Sequence, residues 1–299
     1  MTDQLALERT GEAAPAIHSL AAGPKNILVH VQNDGTVEDR LQAALSLARA
    51  YSAHIECLHV TPIQAYVAYE GFGGVFVMKK AIDALEEREK MLRADVEGRL
   101  ANEDVSWTYT QVTGDVASQL IGHAALADLL VAGREPYRSD FAGSTIGLLG
   151  DLISRSRTPI FIPGNSGKPF DPTGPALVAW DGSYEAADAV RSSIGMLGFA
   201  SKVEVLQVVE RKAELFPSTR LLEYLSRHDI HAELTVEASE VTPTVQEYVP
   251  DLLVTKALAM DAAFMVMGGY NHSRIGEFIF GGVTRMMLSA SPVPIVIAR

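Results

Sequence analysis

"AFMVMGGYNHS", residues 263–273, is an apolar run that ends on a glycine pair, and the chain holds a second version of it in "DLLVAGREPYR", residues 128–138. Each is followed by a mixed stretch and then by an apolar run opening on a proline, "TPIFIP" (158–163) and "VPIVIA" (293–298). Gly133 and Gly268 lie 135 residues apart, and so do Pro159 and Pro294, so the two blocks align without a gap. Self-similarity at a fixed separation means one structural unit used more than once.

The parallel continues upstream. "NILVHVQNDGT" (26–36) and "ALVAWDGSYEA" (176–186) are apolar strands running to Asp-Gly and into an Ala-rich helical stretch. "HIECLHV" (54–60) and "KVEVLQVV" (202–209) match as second strands, and third strands follow at about 105–112 and 231–238. Short strands alternating with helical patterns call for a parallel sheet with helices on both faces. The predicted fold is therefore α/β: two tandem doubly wound domains, each with a five-stranded parallel sheet flanked by helices. In the first half Ile82, Leu85, Leu92, Val96 and Leu100 mark one stripe of a charged helix over about 77–101; the second half has only a short counterpart around 214–228. "GNSGKPFDPTGP" (164–175) reads as a linker, and its Gly167-Lys168 lacks the glycine spacing of a P-loop. The boundaries are an arm over 1–24, a first domain over 25–165, a linker over 166–174 and a second domain over 175–299.

A chain of 299 residues suits two cores, and 47% apolar residues suffice to fill both. The net charge of -12 argues against coating nucleic acid or anionic lipid, which draws on basic patches. Cys57 is the single cysteine, which excludes an internal disulfide and a Cys-based zinc site and fits a reducing compartment, so the cytoplasm is expected. No stretch approaches the ~20 apolar residues of a membrane span, and residues 1–24 lack the pattern of a secretory signal.

The "HV"-type second strand, the fourth strand ending in Gly and the Pro-flanked final strand together resemble the tandem universal stress proteins, from about residue 25 to the C-terminus. The resemblance implies two such domains related by a pseudo-twofold axis, with the fifth strands meeting antiparallel. It also implies a site for ATP or a related adenine nucleotide, perhaps with Mg, wherever the family's Gly-x2-Gly-x9-Gly-Ser/Thr motif survives after the fourth strand. Such a motif brings backbone N–H groups up to phosphates and aims a helix N-terminus at them. In the second half it falls on Gly268, Asn271, Gly281 and Gly282: the spacing is kept and two identities change. Asn271 tolerates a left-handed turn, and Gly282 keeps its N–H while losing the family's hydroxyl. Ser273, Arg274, Val283 and Thr284 complete the phosphate-facing set, and the resemblance adds Asp181 at the end of the first strand and Val208 beside the adenine. One lost hydrogen bond to a charged group costs about 1.5–3 kcal/mol, which binding survives.

The first half gives Gly133, Pro136, Ile146 and Gly147 in the same register. Pro136 has no N–H to donate, and Ile146 puts a branched side chain where a phosphate must approach, so no nucleotide is expected there. Plainer readings stand beside these. The 267–285 loop also serves as a strand-to-helix turn, and Asp181 as a helix cap shared with Ser183. Asp34 has the same two readings, two residues later in the strand pattern. His30, His59 and Cys57 read as core, no His/Asp/Glu cluster has metal-binding spacing, and residues 61–76, with Tyr66, Tyr69, Phe72 and Phe76, read as packing or crossing over the neighbouring domain. Apolar fifth strands at a sheet edge invite pairing. Ile160 and Ile162 facing Ile295 and Ile297 would make the chain its own dimer, and a homodimer of such chains stays open. Three functions compete: a nucleotide-binding stress-response protein, a nucleotide-independent scaffold, and a slow ATPase. The last is weakest, since no nucleophile, base and orienting group stand together and Glu277 and His272 are isolated.

Overall fold

The structure, a computed structural model, describes residues 23–62, 75–134, 145–209, 216–238, 245–269 and 282–299. The first half runs β1 (Asn26–Val31), α1 (Val37–Tyr51), β2 (His54–Pro62), α2 (Val75–Leu100), β3 (Ser106–Gly114), α3 (Val116–Ala124), β4 (Leu129–Val131), α4 (Thr145–Arg155) and β5 (Ile160–Ile162). The second half runs β6 (Ala176–Trp180), α5 (Tyr184–Ser192), α6 (Ile194–Leu197), β7 (Val203–Val209), α7 (Ser218–Ser226), β8 (Ala232–Ala238), α8 (Val245–Ala259), β9 (Phe264–Gly268), α9 (Gly282–Ala290) and β10 (Ile295–Ala298). Tyr66, Tyr69 and Phe72 of the long connection lie outside the described residues.

All ten strands form one sheet, in the order β3-β2-β1-β4-β5-β10-β9-β6-β7-β8. Each half is parallel within itself, and the two meet where β5 pairs antiparallel with β10, Ile160 opposite Ile297, Phe161 opposite Val296 and Ile162 opposite Ile295. In each half the strand order reverses beside the first strand, between β1 and β4 and between β6 and β9. Neighbouring strands there send their chains to different sides, leaving a crevice at the carboxyl ends.

The strands read as unbroken apolar runs because both faces are covered. Along β1, Ile27, Val29 and Val31 join one buried cluster while Leu28 joins the other. Both clusters cross the seam: Phe161, Phe264 and Val296 belong to one, and Ile160, Ile162, Ile295 and Ile297 to the other.

Three expectations are amended. On α2, Leu92, Val96 and Leu100 are buried as the stripe requires, but Ile82 and Leu85 are only half-buried and Glu89 takes the buried place above them. Its carboxylate accepts from Thr61 Oγ1 at 2.6 Å and Gln111 Nε2 at 3.0 Å. Strand β1 ends at Val31, three residues short of Asp34. Finally, the 164–175 linker is packed against the sheet: the Phe170 ring lies 4.8 Å from that of Phe161 and 6.2 Å from that of Phe264, centroid to centroid. Tyr51 of α1 meets Phe199 of the second half edge-on at 4.9 Å, so the halves touch through rings as well as strands.

Candidate functional site

The crevice of the second half gathers the described members of the proposed set. Pairing of β6 with β9 stops at Val178 and Val266, and two residues beyond stand Trp180 and Gly268. On the other side Trp180 pairs with Gln207, which puts Asp181 level with Val208. Gly282, Val283 and Thr284 form the first turn of α9, partly exposed, with Val283 against the core. The first amides of a helix have no intrahelical acceptor, and the helix dipole adds positive potential there. Asn271, Ser273, Arg274 and Gly281 lie outside the described residues.

Asp181 and Ser183 divide the local work differently from the shared cap the sequence suggests. Ser183 is the N-cap of α5, its hydroxyl accepting from the Ala186 amide at 3.1 Å. Asp181 Oδ1 accepts from the Ser183 amide at 3.0 Å and from the Ser183 hydroxyl at 2.6 Å. Gly182 between them sits at φ 71°, a left-handed conformation that suits glycine. The carboxylate therefore closes a tight turn, stays exposed, and keeps Oδ2 free of hydrogen bonds among the described residues.

The same turn recurs in the first half. Asp34 Oδ1 accepts from the Thr36 amide at 3.0 Å and the Thr36 hydroxyl at 3.2 Å, with Gly35 at φ 84°. There Asp34 is not exposed to ligand. Arg40, fully buried, grips it with Nη1 on Oδ2 at 2.8 Å and Nη2 on Oδ1 at 3.0 Å, and also donates to Thr36 Oγ1 and the Gln32 carbonyl.

The glycines at the ends of β4 and β9 show the consequence. A methyl on Gly133 would meet the Arg40 guanidinium, its Cζ at 3.1 Å, and Thr36 Oγ1 at 2.7 Å. A methyl on Gly268 would instead meet backbone, the Ala186 nitrogen at 2.6 Å and the Glu185 carbonyl carbon at 2.8 Å. In one half a side chain fills the space beside the glycine; in the other the helix itself closes up. Gly268 thus has a packing reason to be glycine that is independent of any ligand.

Sequence reasoning missed Arg40. Its signal was an arginine in the first turn of an Ala- and Leu-rich helix, six residues after Asp34, where the aligned position in the second half is Ala187. Also missed was an aromatic pair at the mouth of the second crevice. Tyr184 and Phe216 pack edge to face at 4.9 Å, and the Phe216 amide donates to the Gly182 carbonyl at 3.1 Å. The indole N–H of buried Trp180 finds no acceptor among the described residues. His30 and His59 are buried as read, and Cys57 is a buried free thiol pushed up to about 12 by desolvation. Among the described residues no three His, Cys, Asp or Glu side chains are placed to hold a metal, and no helix is long and apolar enough to cross a membrane.

No protein-family description fits the sequence, and no curated protein matches it. Solved structures do. A universal stress protein from Archaeoglobus fulgidus DSM 4304 is 16% identical over 92% of this chain and 98% of its own, with a TM-score of 0.67. A functionally unknown protein from Pseudomonas aeruginosa PAO1 is 16% identical over 92% of each chain, with a TM-score of 0.52. At that identity the likeness establishes the architecture: the chain has the universal stress protein fold over nearly its whole length.

Proposed function

We propose that the chain is a tandem universal stress protein whose second half holds ATP or a related adenine nucleotide and whose output is a signalling or protective contact rather than turnover. The observation that carries this reading is the contrast at the two crevices. The first is filled by Arg40 clamped to Asp34, while the second keeps Asp181 exposed at the strand-order reversal, with Val208 on one side and Gly268 on the other. Phosphates would lie over Gly268–Ser273 and Gly281–Thr284, where the first turn of α9 offers free amides. Tyr184 and Phe216, packed edge to face, offer apolar surface beside Gly182. A magnesium ion would ease the repulsion between a polyphosphate and a chain of net charge -12.

One observation favours a second reading, a scaffold that works without nucleotide: Gly268 is required by the approach of α5 whether or not a ligand binds. The two separate cleanly. Purified protein is denatured and the supernatant assayed for released nucleotide, and ATP with and without magnesium is then titrated against the wild type and Gly281→Val. Micromolar binding by the wild type and at least tenfold weaker binding by the variant supports the nucleotide reading; no binding at millimolar ATP leaves the scaffold.

A further inference from the structure

Where the two halves meet, beside the second crevice, the surface sinks into a cavity of about 330 Å³. The first half contributes Arg155 and Arg157, from the end of α4 and the turn before β5; the second contributes Tyr184, Glu185 and Asp188 from α5, and Arg299 just past β10. Antiparallel pairing of β5 with β10 makes this possible, because it sets the start of one fifth strand beside the end of the other.

The cavity adjoins the glycine pair at the end of β9. Glu185, which lines it, is the residue whose Cβ would lie 3.0 Å from a methyl on Gly268. Ile153, two residues before Arg155 and buried where Arg155 is exposed, has its Cγ2 2.5 Å from the place of a methyl on Gly269. The Gly269 amide donates at 2.8 Å to the carbonyl of Ala298, the neighbour of Arg299. Because α5 packs directly on Gly268, a ligand would reach these arginines along the first turn of α5, from Asp181 past Tyr184 and Glu185, which line the cavity.

Their charge suits an anion. Three guanidiniums face two carboxylates, and Asp188 already holds Arg191 at 2.8 Å on its own helix. Arg155 and Arg157 are exposed and form no ion pair among the described residues; Arg155 donates to Ser118 Oγ at 3.2 Å and, after the Ser118 hydrogen bonds, helps hold the Asp115 carboxyl below its usual range. In a chain of net charge -12 this is a local excess of positive potential in a concave place, and arginine matches phosphate oxygens with two parallel N–H donors. Solvated surface arginines would be the plain alternative. They would not need to converge on a cavity that opens beside the glycine pair.

We propose that this seam cavity is a polyphosphate subsite in which Arg155 and Arg157 of the first half take the terminal phosphates of a nucleotide held by the second. The identity of the ligand rests on the nucleotide reading above. The site is then composite, drawing on both halves.

The test uses the full chain and titration calorimetry with adenosine, AMP, ADP, ATP and tripolyphosphate, on the wild type, the double variant Arg155→Ala/Arg157→Ala, and Arg227→Ala as a control outside the cavity, where Arg227 pairs with Glu223 on its own helix. The expected wild-type affinity rises at least tenfold from AMP to ATP, and tripolyphosphate competes with ATP. The double variant loses ten- to a hundredfold for ATP and tripolyphosphate, keeps its affinity for adenosine, and shows an unchanged circular dichroism spectrum; the control behaves as wild type. An ATP preference undiminished in the double variant, or no preference for ATP over AMP in the wild type, overturns the subsite and leaves the nucleotide reading standing. Arginine-dependent binding of tripolyphosphate without any nucleotide binding does the reverse. Binding of neither removes both.

Discussion

Gly268 and Gly133 occupy equivalent places and are glycine for different local reasons, which makes them a sharp test of packing at the scale of one residue. At Gly268 the obstruction is helix backbone, which cannot turn aside. Gly268→Ala is expected to cost about 1–3 kcal/mol, the range for forced overpacking, read as a lower thermal midpoint in ligand-free protein. Arg40 tests the other half. Removing it leaves the Asp34 carboxylate buried and unpaired, so Arg40→Met is expected to cost about 3–5 kcal/mol by urea denaturation, and Asp34→Asn added to it should recover part of the loss. The Asp-Gly turns were legible in the sequence, because an Asx turn and a left-handed glycine are local chemistry. The destination of Arg40 was not, since its side chain reaches into space that only the neighbouring strand ends define.

At the scale of elements, the alternation of short strands and helices could be read along the chain, and the amendments concern places where tertiary packing competes with pattern. Glu89 sits in the buried row of α2 because β2 and β3 present Thr61 and Gln111 to it. A buried carboxylate with donors is tolerated where an isolated one is not. The linker is the clearer case. Its Gly and Pro content marks an irregular path, but Phe170 fixes that path by packing tilted against Phe161 of β5 and edge-on against Phe264 of β9. Phe170→Ala is expected to destabilise the protein by about 2 kcal/mol, below the 3–5 kcal/mol of a fully buried ring because this one is half-exposed. A flexible tether would show no change in the urea midpoint. The outer strands, β3 and β8, end the ten-stranded sheet with Ser, Thr and Glu side chains among their exposed positions, which discourages further edge pairing.

For the whole molecule, the two halves share a fold but not a response to acid. His59 is held down to about 4 by burial, and His30 is also lowered, by burial first and then by Arg40 and His59. Among its described residues the second half has no equivalent: His228 is half-exposed and His231 exposed. Between about pH 6.5 and 4 the unfolded chain takes up a proton that the folded His59 refuses, so its contribution is fully present above 6.5 and falls as the pH drops toward 4, by at most about 3 kcal/mol. Differential scanning calorimetry from pH 7 to 4.5 should show the midpoint falling, and His59→Gln should flatten that dependence; a pH-independent midpoint would count against the buried neutral imidazole. The sequence by itself determined the repeat, the strand–helix order and the glycine spacing, because these follow from local periodicity and backbone chemistry. Only the tertiary structure decided that Arg40 fills one crevice, that Phe170 clasps the seam, and that arginines of the first half converge beside the glycine pair of the second. Those contacts join residues far apart in the chain, and the folded sheet alone brings them within reach.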